Sequence, residues 1–489
     1  VNKLYRIDEK DNVAVALEPL EKGYTEQGIT LLDDIPFGHK VLLEDMNSGG
    51  QIIKYANPIG SLTCDVRAGS HIHEHNLKTN LSDSLSYDFG GDNAYSPQKS
   101  DLSFEGYLRS DGRAGIRNEI WIIPTVGCVN NTVRMLEKAA DSITDGSIDG
   151  VYAFTHPYGC SQLGDDQENT RRVLAGLIEH PNAGGVLVVS LGCENSNIGE
   201  LKKYLGDYDG KRVKFLVTQD CIDELKEGKR LIKEIFDYIK NDKRQTLPIS
   251  KLTVGLKCGA SDAFSGITAN ALCGRATDIL TDGGAAVLLT EVPEMFGAEH
   301  LLMQRTQDRA VFGKTVEMIN GFKEYFESHN QVCYENPSPG NHAGGITTLE
   351  EKSLGCVQKG GNAVVTDVLD YAQRARKSGL SLLWGPGNDI VSTTNLVCAG
   401  ANLILFTTGR GTPLGTPVPT LKIASNTPLS VSKPSWIDFN AGTLLDGGDT
   451  ASVTEALIAA IIEAANGKRL KNETNGYREI AIFKDGVTM

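Results

Sequence analysis

The chain contains no C-x-x-C pair. This removes the common zinc-ribbon spacing and the thioredoxin-type motif. Its ten cysteines in 489 residues are too few for a disulfide scaffold, so thiols or metal ligands are expected. No apolar run reaches membrane-spanning length, and "ASVTEALIAAIIEAA" is broken by glutamates and reads as an amphipathic helix. The opening "VNKLYRIDEKDNVAV" has no apolar core of signal-peptide type. Positive charge is also short: 48 Lys and Arg face 62 Asp and Glu, for a net −14. That argues against a broad nucleic-acid or anionic-membrane surface. A small anionic substrate needs only a local cluster of Arg and Lys. With 40% hydrophobic and 22% charged residues, the composition is that of a globular chain long enough for two to four domains. A cytoplasmic enzyme with no nucleic-acid or membrane partner is expected, and homo-oligomerisation is left open.

The neighbours of the cysteines are more informative than their number. Glycine precedes Cys128, Cys160, Cys193 and Cys356, and follows Cys258. Glycine there permits a tight turn and leaves the thiol accessible. Cys160, in "HPYGCSQLGDD", sits where an apolar run ends, four residues after His156. On these grounds it could be a redox centre, a nucleophile, a metal ligand or a small core residue.

Residues 1–77 carry short β patterns ("NVAVAL", "HKVLLED", "QIIKYA") separated by turn signals. They read as an all-β module ending in "GSHIHEHN". Residues 78–103 are rich in Ser, Asp and Gly and read as a linker. From 104 the pattern alternates strand with helix: "NEIWIIPTV", "GVYAFT", "GGVLVVSL" and "RVKFLVT" are strands, each followed by a helical segment. A polar break, "NDKRQTLPIS", separates an α/β region at 104–245 from a second at 246–489, whose strands include "KLTVGLK", "AAVLLTEV", "SLLWG" and "NLILFTT". The fold class is therefore α/β: an N-terminal all-β module, then two regions with mainly parallel sheets. Cys128, Cys160, Cys193 and Cys258 each follow an apolar strand, the edge where open parallel sheets bind ligands.

Several longer stretches resemble one family. "PTVGCVNNTVR", "YGCSQLGDD", "VSLGCENSN", "SGITANALCGR", "LTEVPEMFGAE", "YENPSPGNHAGGITTLEEKSLGC" and "FTTGRGTP" are similar to the altronate/galactarate dehydratases, and the likeness runs from "DNVAVAL" to "REIAIFKDGVT". The serine-glutamine after Cys160 and the "HIHEHN" segment resemble the altronate branch. The resemblance implies a SAF domain of β-clip fold at residues 1–77. It also implies dependence on iron(II), with manganese as a substitute, and a place in hexuronate breakdown. The implied reaction is loss of water from D-altronate, giving 2-dehydro-3-deoxy-D-gluconate. The hydrogen at C2 leaves as a proton although it lies beside a carboxylate, so a divalent cation, a general base and a general acid are wanted. Galactarate dehydratase, sulfolactate sulfo-lyase and, in another class, an iron–sulfur redox protein are the alternatives.

Within that frame Cys160, Cys193, Cys258 and His75 are the expected metal ligands. Thiolates suit Fe(II), and also zinc or an iron–sulfur cluster. The bland reading is that these cysteines line tight strand ends. His156, Glu194, Lys352 and His73 are expected in catalysis, although His156 could equally be a hydrogen-bonded loop histidine. His71, His73 and His75 alternate, which on a strand puts all three on one face. Ser261, Asp262, Thr268 and Asn270 open a helix and could hold sugar hydroxyls, or simply cap it. Arg410 is expected to grip the substrate carboxylate, with Arg117 as a further anion contact. Glu291, Glu294, Cys128 and Cys356 remain open, and His342 reads as a loop histidine.

Overall fold

A computed structural model describes residues 2–81, 86–333 and 336–489. Parts of the 78–103 segment and of "YENPSPGN" thus lie outside the described residues.

The first eighty residues form a two-stranded pair, Thr25–Glu26 with Ile29–Thr30, and two small antiparallel sheets. One orders Leu4–Tyr5, Val13–Ala16, Lys40–Leu42 and His71–Ile72, and the other Gln51–Lys54, Asn57–Leu62 and Leu77–Lys78. The strands are short because turns at Gly23, Gly38, Gly49 and Gly69 interrupt them, each with positive φ. The histidine-rich segment behaves differently from the alternating strand expected. Its strand stops at Ile72, and the backbone turns, with Asn76 N–H donating to the His73 carbonyl at 3.0 Å.

The second unit has a four-stranded parallel sheet in the order Gly150–Ala153, Glu119–Pro124, Ala183–Ser190, Val213–Val217. Ala183–Ser190 is buried throughout, as a central parallel strand covered on both faces should be. The helix Glu224–Ile239 is capped by Asp223, whose side chain accepts from Lys226 N–H, and it lays Leu231, Ile232, Ile235, Phe236 and Ile239 into the core. The third unit has seven parallel strands, ordered Val365–Leu369, Gly379–Leu383, Ala286–Leu289, Thr253–Cys258, Leu403–Thr408, Thr420–Ala424, Phe439–Asn440. Ser103–Leu108 pairs antiparallel with Gln245–Pro248, so the entry to the second unit and the exit from it are zipped together.

Residues 86–101 have no regular secondary structure, yet they are tied to the third unit. Tyr87 Oη donates to Glu299 at 2.6 Å, Tyr95 Oη to the Thr281 carbonyl at 2.8 Å, and Asn93 Nδ2 to the Thr306 carbonyl at 2.9 Å. Among the described residues, no helix is long and apolar enough to cross a membrane.

Candidate active site

The N-terminal unit docks on the carboxyl edge of the seven-stranded sheet, and Lys40, Lys54, Glu350, Glu351 and Lys352 are buried in that seam. The helix Leu349–Val357 organises it. Thr348 caps the helix by accepting from Glu351 N–H, and Glu350 and Glu351 occupy the first turn, where the helix dipole favours carboxylates. Glu351 turns toward the N-terminal unit, with Lys40 Nζ at 2.9 Å and Lys54 Nζ at 2.7 Å. Lys352, one residue on, turns toward the sheet edge, 2.8 Å from Glu294.

Five imidazoles gather beside this helix. His39 Nδ1 lies 2.9 Å from His71 Nε2, and the His39 and His73 ring centres are 4.8 Å apart. The His75 ring lies tilted beside His71 with centres 5.4 Å apart, and the His342 ring meets His73 edge-on at 6.0 Å. His73 Nδ1 pairs with Thr347 Oγ1 at 2.9 Å. Potential ligand atoms of His73, Glu74 and His342 all lie within 4.8 Å of one another, the one such trio among the described residues. Burial first, and then neighbouring positive charge and imidazoles, push His71 down to about 4 and His73 down to about 3. Neutral imidazoles are the ligating form. Two imidazoles and a carboxylate suit a first-row divalent ion.

A second cluster lies behind Lys352. Lys257 pairs with Glu291 and, at 2.8 Å, with Asp389; Lys359 stands 3.4 Å from Glu291. Cys356 Sγ is 3.1 Å from Glu294, and Cys258 Sγ is 2.7 Å from Ser261 Oγ. Burial and the neighbouring Glu294 push the Glu291 carboxyl up. Burial opposes charge on Glu294 too, but Lys352, Lys257 and Lys359 hold it low. The Cys356 thiol beside it draws the Cys258 thiol well below its ordinary range. Asn270 joins the cluster through Thr407 Oγ1, which donates to its Oδ1 at 2.6 Å.

The other expected residues are placed differently. All five N–H donors of Arg117 are taken, by Glu473 and the carbonyls of Ile116, Ala464 and Lys468. It also precedes the strand Glu119–Pro124 and so lies at the amino edge. Arg117 therefore has no donor for a substrate anion. His156 is buried, its Nε2 donating to the Pro124 carbonyl at 2.8 Å and its Nδ1 accepting from Tyr158 N–H at 3.2 Å. Burial pushes it down to about 4. Glu194 accepts from Thr125 and Ser190 hydroxyls and from Gly192 N–H, and so ties the loops of the second sheet. Asp262 is held by Ser265, Ser425 and Asn426, and Thr268 donates to backbone carbonyls. Arg410 is exposed and donates to the Gly340 carbonyl at 3.1 Å, leaving much of its fork free.

Among the described residues, Cys160, Cys193 and Cys258 do not form a three-ligand cluster. The first two follow strands of the four-stranded sheet and the third ends a strand of the seven-stranded one. Cys160 Sγ contacts Asn195 Oδ1 at 3.3 Å, and Cys193 Sγ contacts Gln219 Nε2 at 3.6 Å.

The whole chain matches one family in three consecutive parts. Residues 2–80 match the altronate/galactarate dehydratase SAF domain, residues 106–240 the second domain of D-galactarate dehydratase/altronate hydrolase, and residues 249–488 the C-terminal part of D-galactarate/altronate dehydratase. The chain belongs to the altronate/galactarate dehydratase family. An altronate dehydratase of Bacillus subtilis (strain 168) is 50% identical over 494 residues, covering 99% of both chains. An altronate dehydratase of Escherichia coli (strain K12) is 49% identical, again over 99% of each. A galactarate dehydratase (L-threo-forming) of Escherichia coli (strain K12) is 32% identical over 98% of this chain and 96% of its own.

Membership makes the chain a hydro-lyase and its N-terminal unit a SAF domain. In this dehydratase the SAF domain brings His39, His71, His73 and His75 to the C-terminal domain. His39, in "PFGHK", escaped the sequence reading because one histidine beside a turn glycine carries no pattern. His342, in "GNHAGG", reads as a loop histidine in the sequence, whereas the structure sets it in the short helix Pro339–Ala343. Their tertiary neighbours are what distinguish them.

Proposed function

We propose that this chain dehydrates D-altronate to 2-dehydro-3-deoxy-D-gluconate with the help of a bound divalent cation, Fe(II) by preference and Mn(II) as a substitute. The observation that carries the reading is the convergence of His73, Glu74 and His342 beside the Lys352–Glu294 pair, in a chain about half identical to two altronate dehydratases. His73, Glu74 and His342 would hold the cation, with His39, His71 and His75 packed around them. Once bound, it would offset the negative charge that builds on the substrate carboxylate as the C2 proton leaves.

The protein's own groups supply the rest. Arg410 offers a planar fork to a carboxylate. A neutral, non-ligating imidazole of the cluster accepts the C2 proton. Burial opposes the charge on Lys352, but Glu294 together with Cys356 and Cys258 raises its pKa on balance and keeps it protonated. It can therefore donate to the departing C3 hydroxyl. Cys258 and Ser261 lie at the same sheet edge, within reach of sugar hydroxyls. The cavity between Lys54, Tyr55, Ser261, Asn270 and Lys352 is only about 10 Å³, water-sized. A six-carbon acid therefore enters from the side of His342 and Arg410, or with the SAF domain raised.

The test is a coupled assay for the 2-keto-3-deoxy acid, run anaerobically with Fe(II). Specificity for D-altronate should exceed that for galactarate at least about tenfold, a difference of about 1.4 kcal/mol in transition-state binding. Equal or reversed specificity sinks the substrate assignment.

A further inference from the structure

A strongly basic concavity of this acidic protein lies at the edge opposite the candidate active site. A cleft of about 580 Å³ opens between the second and C-terminal domains, a size typical of small-molecule sites. Thr253, Ala286 and Val213 line it, and each begins a parallel strand. The cleft is thus at the amino edges of both sheets, while Cys258, Glu291 and Glu294 stand past the carboxyl ends. The length of a six-residue strand, roughly 20 Å, separates the two.

Seven basic side chains line the cleft against four acidic ones, in a chain of net charge −14. Several of the basic groups are poorly compensated. Arg212 donates to the carbonyls of Ala183 and His180, and has no carboxylate in ion-pair contact among the described residues. Burial, and then Arg109 and Arg113 facing it, push Arg212 down to about 9. Arg374 shares its one carboxylate partner, Glu179, with the Gly206 N–H, and Arg113 opposes its charge. Arg376 stands exposed at the mouth, beside Lys377, which is also exposed and lies 3.4 Å from Asp367. Like charges crowded into a partly dehydrated cleft raise the energy of the empty state, and a multiply charged anion relieves it. Guanidinium forks set at several angles match oxyanions of phosphate or carboxylate geometry.

We propose that this cleft is a binding site for a small oxyanion carrying two or more negative charges, distinct from the site that takes the substrate. Arg113, Arg212, Arg374 and Arg376 form its walls, with Lys377 at its mouth.

The test is isothermal titration of the metal-loaded enzyme with fructose 1,6-bisphosphate and, separately, with tricarballylate, at matched ionic strength. At least one should bind. The one that does distinguishes a phosphoester ligand from a polycarboxylate. The surface variant Arg376→Ala/Lys377→Ala should weaken that binding at least tenfold, while its melting temperature and its turnover of D-altronate stay as in the parent. Lys352→Ala should leave the affinity unchanged. Failure of both anions to bind overturns the proposal. So does binding that survives the double variant, or binding lost in Lys352→Ala, which would place the anion in the candidate active site instead.

Discussion

Lys40 of the SAF domain and Glu351 of the C-terminal domain meet at 2.9 Å, both side chains sealed from solvent. Lys54 reaches the other carboxylate oxygen at 2.7 Å. One carboxylate thus serves two ammonium groups. Burial opposes its charge, but Lys40 and Lys54 prevail and hold it down at about 2. Lys40 shares that carboxylate with Lys54 while also donating to the Gly345 carbonyl and the Thr347 hydroxyl, and burial pushes it down to about 8. This triad fixes how the histidine-bearing domain sits on the sheet.

Removing the shared carboxylate should therefore loosen the docking. Glu351→Gln leaves two buried ammonium groups without a counter-charge, a loss of about 3–5 kcal/mol for a broken buried pair. The sign of the pH dependence follows from the carboxylate. Its folded pKa lies below the unfolded value near 4.3, so its contribution is present at neutral pH and disappears as pH falls from about 4 toward about 2. Urea denaturation at several pH values should show parent stability falling steeply in that window, and a shallower fall in Glu351→Gln. Equal slopes would mean that the triad does not stabilise the fold.

His73→Ala and His342→Ala should each lower the affinity for Fe(II) at least about tenfold, by loss of a ligand or its immediate neighbour. Competition with a chromogenic chelator under anaerobic conditions reads this directly. Chelation of the parent should abolish turnover, and Fe(II) should restore it. Unchanged metal content in both variants would reduce the histidines to a polar seam.

Lys352→Met should reduce kcat about 10²- to 10⁴-fold, the usual weight of a general acid. Glu294→Gln tests the same pair in another way. Glu294 is the largest of the influences that keep Lys352 protonated against burial. Without it the lysine pKa falls, and the alkaline limb of the kcat profile should move to lower pH. A profile identical to the parent's would remove Lys352 from the chemistry.

The cysteines separate by position. Cys160→Ser, in the loop that contacts Asn195, should retain the metal bound at the histidine cluster and most of the turnover. Cys258→Ser alters a buried thiol 2.7 Å from Ser261 and should reduce kcat. Metal analysis beside the rate assay decides between them. Loss of iron in Cys160→Ser would bring that thiol back as a ligand.

Much of the fold was legible in the chain. "GGVLVVSL" became the fully buried Ala183–Ser190, and "IDELKEGKRLIKEIFDYIK" the helix Glu224–Ile239. In both, apolar period and length match the element. The segment 78–103 was less legible. It has linker composition, yet Tyr87, Asn93 and Tyr95 strap its described part to the C-terminal domain. Side-chain hydrogen bonds across some two hundred residues leave no periodic trace in sequence.

By itself the sequence determined the family, the β-then-α/β order of the domains and the placing of Cys258 at a strand end, because local periodicity and long contiguous motifs carry those. Only the tertiary structure decided which of these residues meet. It set His39 and His342 beside His73, though one comes from the SAF domain and the other from the short helix Pro339–Ala343, some three hundred residues later. It enclosed Arg117 with Glu473 at the opposite edge, and it left Cys160 in a loop beyond the four-stranded sheet while Cys258 ends a strand of the seven-stranded one. A strand end is a local property, whereas which strand ends face one another depends on how whole domains dock. In this protein that docking is held by buried charges such as Lys40 and Glu351, 311 residues apart in the chain.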